Sequence, residues 1–418
     1  MTNIALKTTT STLILSVLFC TSAAFAQDIP SKEDMWKMIL QQQEQIKKLE
    51  KIIGINNDKI SQTEQKISEN EQKVEAAGAA LDQVMSSGGQ PATAIGGYTE
   101  LHYNGGQADL IDLHRFVIFL SHEYNDKIRF FSEFEVEHAI AGEGQVGEVE
   151  MEQAFVEMDL SENHRTSIGL QLIPIGILNE THEPPTFYGV ERNNVEKNII
   201  PSTWWEAGVK LSGNLTQSLR YDLMMHSGLD TTGHAYNIRS GRQKVGLAPW
   251  KNTAFTARAI WQAAPGIKIA GSFQYQSDIT QSSNADENAA ATLFEIHTDI
   301  NRAVSEKGSI GFRALFAQWN VKSVSAESLG RNKQRGWFVE PSYKISLDDE
   351  RAIGFFARYS HWDNEAGDNI DSSYRQTAFG VNYWPHKNVV LKLDYQLDNF
   401  ANIPKEDNRV NLGIGVQF

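Results

Sequence analysis

From residue 95 to the end of the chain, apolar residues alternate with polar or small residues in short segments. In the last segment, RVNLGIGVQF, an apolar side chain occupies every second position from Val410 to Phe418. A period of two is typical of β-strands with one apolar face. The pattern predicts sixteen strands, at 95–103, 113–124, 127–137, 148–159, 165–173, 204–213, 217–226, 253–263, 266–276, 291–301, 308–319, 335–346, 351–362, 373–384, 387–398 and 408–418.

The connections between these segments alternate in length. Tight turns such as ND, SENH, DDE and PHKN are followed by long gaps, of which 138–147, 174–203 and 227–252 are examples. An even number of strands, with short turns at one end and long loops at the other, is typical of outer-membrane barrels. The sequence therefore predicts an all-β membrane protein, a 16-stranded antiparallel transmembrane β-barrel over 95–418. A soluble all-β protein is the disfavoured alternative.

A different period precedes the barrel. Apolar residues recur every seven positions between 39 and 84, which predicts an N-terminal α-helical coiled coil over 32–84. The second heptad column is polar, so a lone amphipathic helix stays an alternative. Residues 85–94, with the sequence MSSGGQPATA, are expected to form a linker. The apolar column consists of Ile39, Ile46, Ile53, Ile60, Ile67, Val74 and Leu81.

The first 26 residues resemble an export signal. Lys7 is followed by the apolar run STLILSVLFC and by small residues at Ala24 and Ala26. This pattern predicts cleavage before Gln27 and removal of Cys20, the single cysteine. No apolar run is long enough for a transmembrane helix. We expect an exported chain without disulfides, located in the outer membrane of a Gram-negative bacterium with the coiled coil in the periplasm.

Charge and motifs narrow the function. The net charge of −14 argues against nucleic-acid binding. No hydrolase, Walker or dinucleotide motif is present, so we expect neither an enzyme nor a cofactor. Two stretches, NETHE and FEIHTD, place imidazole and carboxylate groups close together, but we assign them no metal because such groups are more often solvated lumen side chains. Their residues are Glu180, His182, Glu183, Glu295, His297 and Asp299.

Charged residues lie in the register opposite the apolar one. In a wide barrel they would line a wet lumen while the apolar register faces outer-membrane lipid. Gly413 and Gly415 are expected to leave room where the last strand pairs with the first. Aromatic residues near strand ends predict interfacial girdles at Tyr103, Tyr124, Trp204, Trp205, Trp261, Tyr275, Trp319, Trp362, Tyr383, Trp384 and Phe418. The candidate pore-lining residues are Arg115, Arg129, Glu133, Glu135, Glu137, Arg220, Asp222, Arg258, Lys268, Glu295, Asp299, Arg313, Lys344, Arg358, Lys392 and Asp394.

The gap at 174–203 is the longest, and a loop of this length in a compact protein needs a function. We expect this third loop to fold inward and narrow the pore, with its charges setting the local field. An external lid is the alternative. The candidate constriction residues are Glu180, His182, Glu183, Glu191, Arg192, Glu196 and Lys197.

The stretch LQLIPIGILNETHEPPTFYGVERNNVEKNIIPSTWWEAGV resembles the phosphate-selective porin O and P superfamily, and the similarity extends over about 95–418. The preceding coiled coil resembles trimeric members of that superfamily. Phe418 resembles the terminal signal that the outer-membrane assembly machinery recognises in its clients. The resemblance implies a homotrimer of barrels that conducts small solutes passively.

The sequence thus favours a porin for small polar or charged solutes, and three alternatives stay open. The first is an anion-selective or phosphate-selective channel, although carboxylates accompany the basic residues in the same registers. The second is an anchor that tethers through the coiled coil. The third, a barrel enzyme, is disfavoured because no catalytic motif is present.

Overall fold

The computed structural model describes residues 92–106, 109–282, 288–401 and 407–418, together with Gln43. The predicted export signal, the predicted coiled coil apart from Gln43, and residues 85–91 of the predicted linker lie outside the described residues. Among the described residues, no helix is long and apolar enough to cross a membrane.

Sixteen strands form the described fold, and all sixteen predicted segments are confirmed. They are β1 Ala92–Asn104, β2 Leu110–Asn125, β3 Ile128–Glu137, β4 Val149–Ser161, β5 His164–Leu172, β6 Trp205–Asn214, β7 Leu219–His226, β8 Ala254–Ala264, β9 Ile267–Gln276, β10 Ala290–Ala303, β11 Gly308–Lys322, β12 Lys333–Ser346, β13 Ala352–Asp363, β14 Tyr374–His386, β15 Val389–Phe400 and β16 Arg409–Gln417. The connections between strands contain two short helices, α1 Asn194–Asn198 and α2 Val324–Ser328. They also contain two 3₁₀ turns, at Pro184–Thr186 and Arg239–Gly241.

The sheet closes into a barrel in which each strand pairs antiparallel with its neighbours in sequence. The seam joins β1 to β16, from Tyr98 opposite Gln417 to Asn104 opposite Asn411. Closure leaves no free sheet edge, so the backbone groups are satisfied within the sheet, as a lipid environment requires.

The first strand begins earlier than predicted. Residues 92–94, assigned to the linker by their composition, pair with 121–123 of β2 and belong to the barrel. The linker prediction over 85–94 is therefore wrong at its last three residues. Small residues and proline resemble a linker locally, but the ladder partner on β2 decides the conformation.

The two faces of the sheet differ as the alternation predicts. In β15, Leu391 and Leu393 are exposed on the outside, whereas Lys392 and Asp394 between them are buried inside the barrel. The same alternation exposes Phe273 on β9. A continuous exposed apolar band of this kind is costly in water and matches a lipid-facing surface.

Five tryptophans depart from the predicted girdle. Trp319 and Trp204 are fully buried, and their ring centroids are 6.2 Å apart. Trp319 Nε1 donates a hydrogen bond to the Ile199 carbonyl, 2.8 Å away, in the segment between β5 and β6. The girdle prediction is wrong at these positions because the inward loop supplies apolar partners that the strand pattern does not reveal. The five buried residues are Trp204, Trp205, Trp319, Trp362 and Trp384.

Candidate functional site: the loop inside the barrel

The candidate site is built on the connection between β5 and β6, residues 173–204, which we call the third loop. Its base is fixed by Asn179, whose Nδ2 donates to the Ile173 and Trp204 carbonyls at 2.8 and 3.0 Å. The Trp204 amide donates to Asn179 Oδ1 at 2.7 Å. One buried side chain thus closes both ends of the loop.

A second buried polar group, Glu196 in α1, holds the next turn of the loop. Its Oε1 accepts from the amides of Ile177 and Leu178 at 2.6 and 2.7 Å. Asn193 caps α1 by accepting from the Glu196 amide at 2.9 Å. Burial raises the pKa of Glu196. Glu196, predicted as a constriction charge, is therefore a structural anchor inside the loop.

Beyond this base the third loop lies against the inner wall of the barrel. The Val190 amide donates to Asp394 Oδ2 on β15 at 2.6 Å. Arg358 on β13 donates to the Tyr188 carbonyl at 3.4 Å and ion-pairs with Glu340 at 3.0 Å. These bonds join the loop backbone to strands far from β5 and β6, so the loop occupies the lumen.

Glycines on β16 create space for this loop. Gly413 lies under Val190, where an added Cβ would be 3.2 Å from a Val190 methyl carbon. At Gly415 an added Cβ would overlap Pro184. The nearest neighbours on this face belong to the third loop, and only at Gly413 does a β1 side chain, His102, come within 3.7 Å of an added Cβ, so these glycines make room mainly for the loop.

Gly415→Ala is expected to lower the free energy of unfolding by about 1–3 kcal/mol, because the new methyl group must displace Pro184. Gly271→Ala is the matched control, since its Cβ would meet no atom closer than the Glu295 carbonyl oxygen at 3.7 Å. Urea unfolding of both variants in lipid vesicles measures the difference. Equal unfolding curves would contradict the contact.

A polar cavity of about 320 Å³ lies beside the loop. Its acidic lining comes mostly from strands β1, β3 and β4, whereas its basic lining comes mostly from the third loop and from residues 227–253, which we call the fourth loop. The cavity is thus bordered by carboxylates on the wall and by cations on the loops. The charged and imidazole residues that line it are Glu100, His102, His114, Arg115, Glu137, His138, Glu150, Glu152, Glu191, Arg192, Lys197, Arg239, Arg242 and Lys244.

Three arginines at this cavity bind uncharged oxygens in the described part of the chain. Arg192 donates to the Thr203 hydroxyl at 3.1 Å, and Arg239 donates to the Ser202 carbonyl at 2.7 Å. Arg242 donates to the Thr203 carbonyl. Burial and the neighbouring Arg242 guanidinium lower the pKa of Arg239 to about 9. Clustered guanidinium groups paired only with neutral oxygens favour an anionic ligand.

The carboxylates of the cavity are better compensated. Arg115 lies 2.7 Å from Glu100 and 3.3 Å from Glu135. His102 lies 3.1 Å from Glu191. Although burial acts to raise it, the hydrogen bond from His102 brings the pKa of Glu191 well below its usual range. The wall is therefore acidic in composition but largely ion-paired.

The other predicted lining residues fall into separate groups inside the barrel. Arg129 pairs with Glu157 and Asp159 and borders another cavity together with Arg220. Asp222 pairs with Arg258 at 2.6 Å, and Arg258 also pairs with Glu180 of the third loop.

Further groups lie on the opposite wall. Arg313 pairs with Asp299 at 3.2 Å. Both line a third cavity with Lys344. Lys392 lies over the Phe187 ring at 3.4 Å. The remaining predicted residues are half-buried Glu183, exposed Lys268 and buried Glu133, Glu295 and His182, with His297 half-buried 2.7 Å from Glu295.

Several residues of the main cavity were not among those predicted from the sequence. Glu100 and His102 alternate in YTELHY, and Glu150 and Glu152 lie in VEMEQ, so their register gave a usable signal. The arginines of the fourth loop had no periodicity to mark them. The missed residues also include Arg239 and Arg242 at the cavity and Asn179 at the base of the third loop.

No protein-family model matches the chain. An uncharacterized protein of Aquifex aeolicus is 28% identical over 345 residues, which cover 76% of this chain and 78% of that protein. The outer membrane channel DcaP of Acinetobacter baumannii is 14% identical with a TM-score of 0.50, over 78% of this chain and 97% of that one. An anion-selective porin of Comamonas acidovorans is 8% identical with a TM-score of 0.51, over 79% and 100%.

The chain folds like an outer-membrane porin. At these low identities the similarity concerns the barrel alone. The resemblance to the phosphate-selective porin O and P superfamily stays a prediction.

Proposed function

We propose that this chain is an outer-membrane porin through which small polar or charged solutes diffuse passively. The observation that carries the proposal is the third loop inside a closed barrel whose outer face is apolar and whose inner face is charged. The loop narrows the lumen and sets its local charge, which are the two ways in which a passive channel selects.

We further propose that the channel favours small anionic solutes. The supporting observation is the cluster of Arg192, Arg239 and Arg242 at the main cavity, all bound to uncharged oxygens. A carboxylate or phosphate group would find several donors there without breaking an existing ion pair. The cavity of about 320 Å³ is also bordered by carboxylates, so small anions fit better than large polyanions.

The functional test uses the purified chain in planar lipid bilayers. We expect stepwise current increases, in groups of three if the chain forms the proposed homotrimer. Insertion of the folded chain into the bilayer without any ion current would contradict the channel. Current steps that occur only singly would contradict the trimer. Heat-denatured protein is the control for leaks caused by detergent.

Selectivity for solutes is measured separately, by liposome swelling in iso-osmotic solutions. We expect faster swelling with small monoanions than with neutral sugars of similar size. Equal rates would support a general diffusion pore and would contradict the anionic part of the proposal.

A further inference from the structure

His182 of the third loop and two glutamates of the wall form a buried cluster apart from the arginines. His182 Nε2 lies 3.4 Å from Glu133 Oε1 on β3 and 3.6 Å from Glu152 Oε2 on β4. The three side chains are 4%, 2% and 1% exposed. A loop residue thus meets two carboxylates at the barrel wall with almost no access to solvent.

The three facing atoms lack hydrogen-bond partners within the described ranges. His182 Nε2, Glu133 Oε1 and Glu152 Oε2 are all buried and unbonded. Buried polar atoms without partners are rare in native proteins, because each costs roughly 1–3 kcal/mol. The three atoms also lie within 4.8 Å of one another, as the ligand atoms of one bound cation would.

The outer hydrogen bonds orient these atoms toward one another. His182 Nδ1 lies 3.2 Å from the Asn179 carbonyl and donates to it, so a bound metal ion would be coordinated through Nε2, which faces the glutamates. Gln153 Nε2 donates to Glu133 Oε2 at 2.7 Å, so Oε1 is the free oxygen. Histidine and carboxylate ligands of metal ions are held in this way by neighbouring groups.

A β-bulge provides the second carboxylate. Glu133 pairs with Gln153 and Phe134 pairs with Met151, so Glu152 is the extra residue between them. The bulge lets Glu152 face inward beside Gln153 instead of alternating outward. Bulges of this kind often orient a side chain at a functional site.

The spacing fits a divalent ion. For metal–ligand bonds of about 2.0–2.2 Å, tetrahedral geometry separates neighbouring ligand atoms by roughly 3.4 Å. The distances of 3.4 and 3.6 Å from the imidazole nitrogen agree with that spacing. Two carboxylates and a neutral imidazole would balance one divalent charge, and the nearby Glu135 lies 3.3 Å from Arg115, which also pairs with Glu100. Glu152 also borders the main cavity, which gives an ion a way in.

We propose that His182, Glu133 and Glu152 bind one divalent transition-metal ion, of which Zn²⁺ is the probe, and that this ion fastens the third loop to the barrel wall. An imidazole ligand favours zinc over magnesium or calcium, which prefer oxygen alone. The NETHE neighbours of His182 take no part, because Glu180 pairs with Arg258 and lies 3.8 Å from Lys210.

The test measures zinc binding by the full chain, folded in detergent and first stripped with a chelator. We expect one zinc ion per chain, and an affinity at least about tenfold lower for His182→Gln and for Glu152→Gln. Zinc is also expected to raise the unfolding temperature of the original chain, but not that of His182→Gln or Glu152→Gln. Magnesium at the same concentration is expected to have no such effect.

His297→Gln is the matched control, because His297 also faces a lumen carboxylate, Glu295, at 2.7 Å. Its zinc affinity is expected to equal that of the original chain. Equal zinc binding by the original chain and His182→Gln, or no zinc binding by either, would overturn the proposal. Heat-modifiable mobility on gels verifies that each variant is folded. The measurement needs no ion conduction, so its outcome is independent of the channel proposal.

Discussion

Replacing residues 180–192 of the third loop with a short Gly-Ser linker is expected to raise the single-channel conductance several-fold. This segment carries the contacts of the loop with the inner wall, including Val190 with Asp394 and Tyr188 with Arg358. Its removal leaves more of the lumen open to water and ions and exposes charged wall groups. Larger sugars are also expected to enter vesicles that contain the variant.

The replacement is chosen to spare the base of the loop. Asn179, Asn193 and Glu196 remain, so the bonds from Asn179 to Trp204 and from Glu196 to Ile177 can still form. A barrel with an intact loop base is expected to fold and insert. The change therefore tests the position of the segment rather than the stability of the strands.

A substitution of α2, residues 324–328, by a Gly-Ser sequence of equal length is the control. Val324 in this helix is largely exposed and borders a separate cavity outside the main one. The conductance of this control variant is expected to match that of the original chain. An unchanged conductance in the 180–192 variant would mean that the segment does not restrict the pathway.

The strands could be predicted because their signal is local. In β15, Leu391 and Leu393 face outward and Lys392 and Asp394 face inward, and this order is written directly in the sequence. The ends of the strands could be predicted less accurately from the sequence. Residues 92–94 look like a linker until their partners on β2 are known.

The site could be predicted only in part, because its residues meet through the fold. The third loop was recognisable by its length and charge, but its partners lie on β13 and β15, far away in sequence. Trp319 resembles an interfacial residue by position and is buried because Ile199 contacts it. Glu152 and Gln153 both face inward at a bulge, so the alternation of β4 is interrupted after Glu152, which the sequence pattern does not reveal.

The arginines of the fourth loop illustrate a different limit. Arg239 and Arg242 lie in a segment with no strand or helix period, so nothing in the sequence places them near Arg192. Only the closed barrel brings the two loops to one cavity. Charge counts along the strands therefore underestimate the basic character of this part of the lumen.

The triple variant Arg192→Gln, Arg239→Gln and Arg242→Gln is expected to shift the channel toward cations. Three positive groups that form no ion pair in the described residues are lost, while the carboxylates of Glu137 and Glu150 remain. A change of about 1–2 kcal/mol in the energy of an anion at the cavity corresponds to roughly tenfold in the chloride-to-potassium permeability ratio. Reversal potentials under a potassium chloride gradient measure this ratio, and high salt is expected to weaken the effect.

Glutamine keeps a donor toward the carbonyl partners, so the loops are expected to retain their positions in the triple variant. Arg351→Gln is the matched control, because Arg351 pairs with Asp348 in an exposed turn and lies away from the cavity. Glu137→Gln should move the permeability ratio toward anions, opposite to the triple variant. If the triple variant and Arg351→Gln gave the same reversal potential, the arginine cluster would have no part in selecting ions, and the anionic part of the proposed function would fail while the pore itself stood.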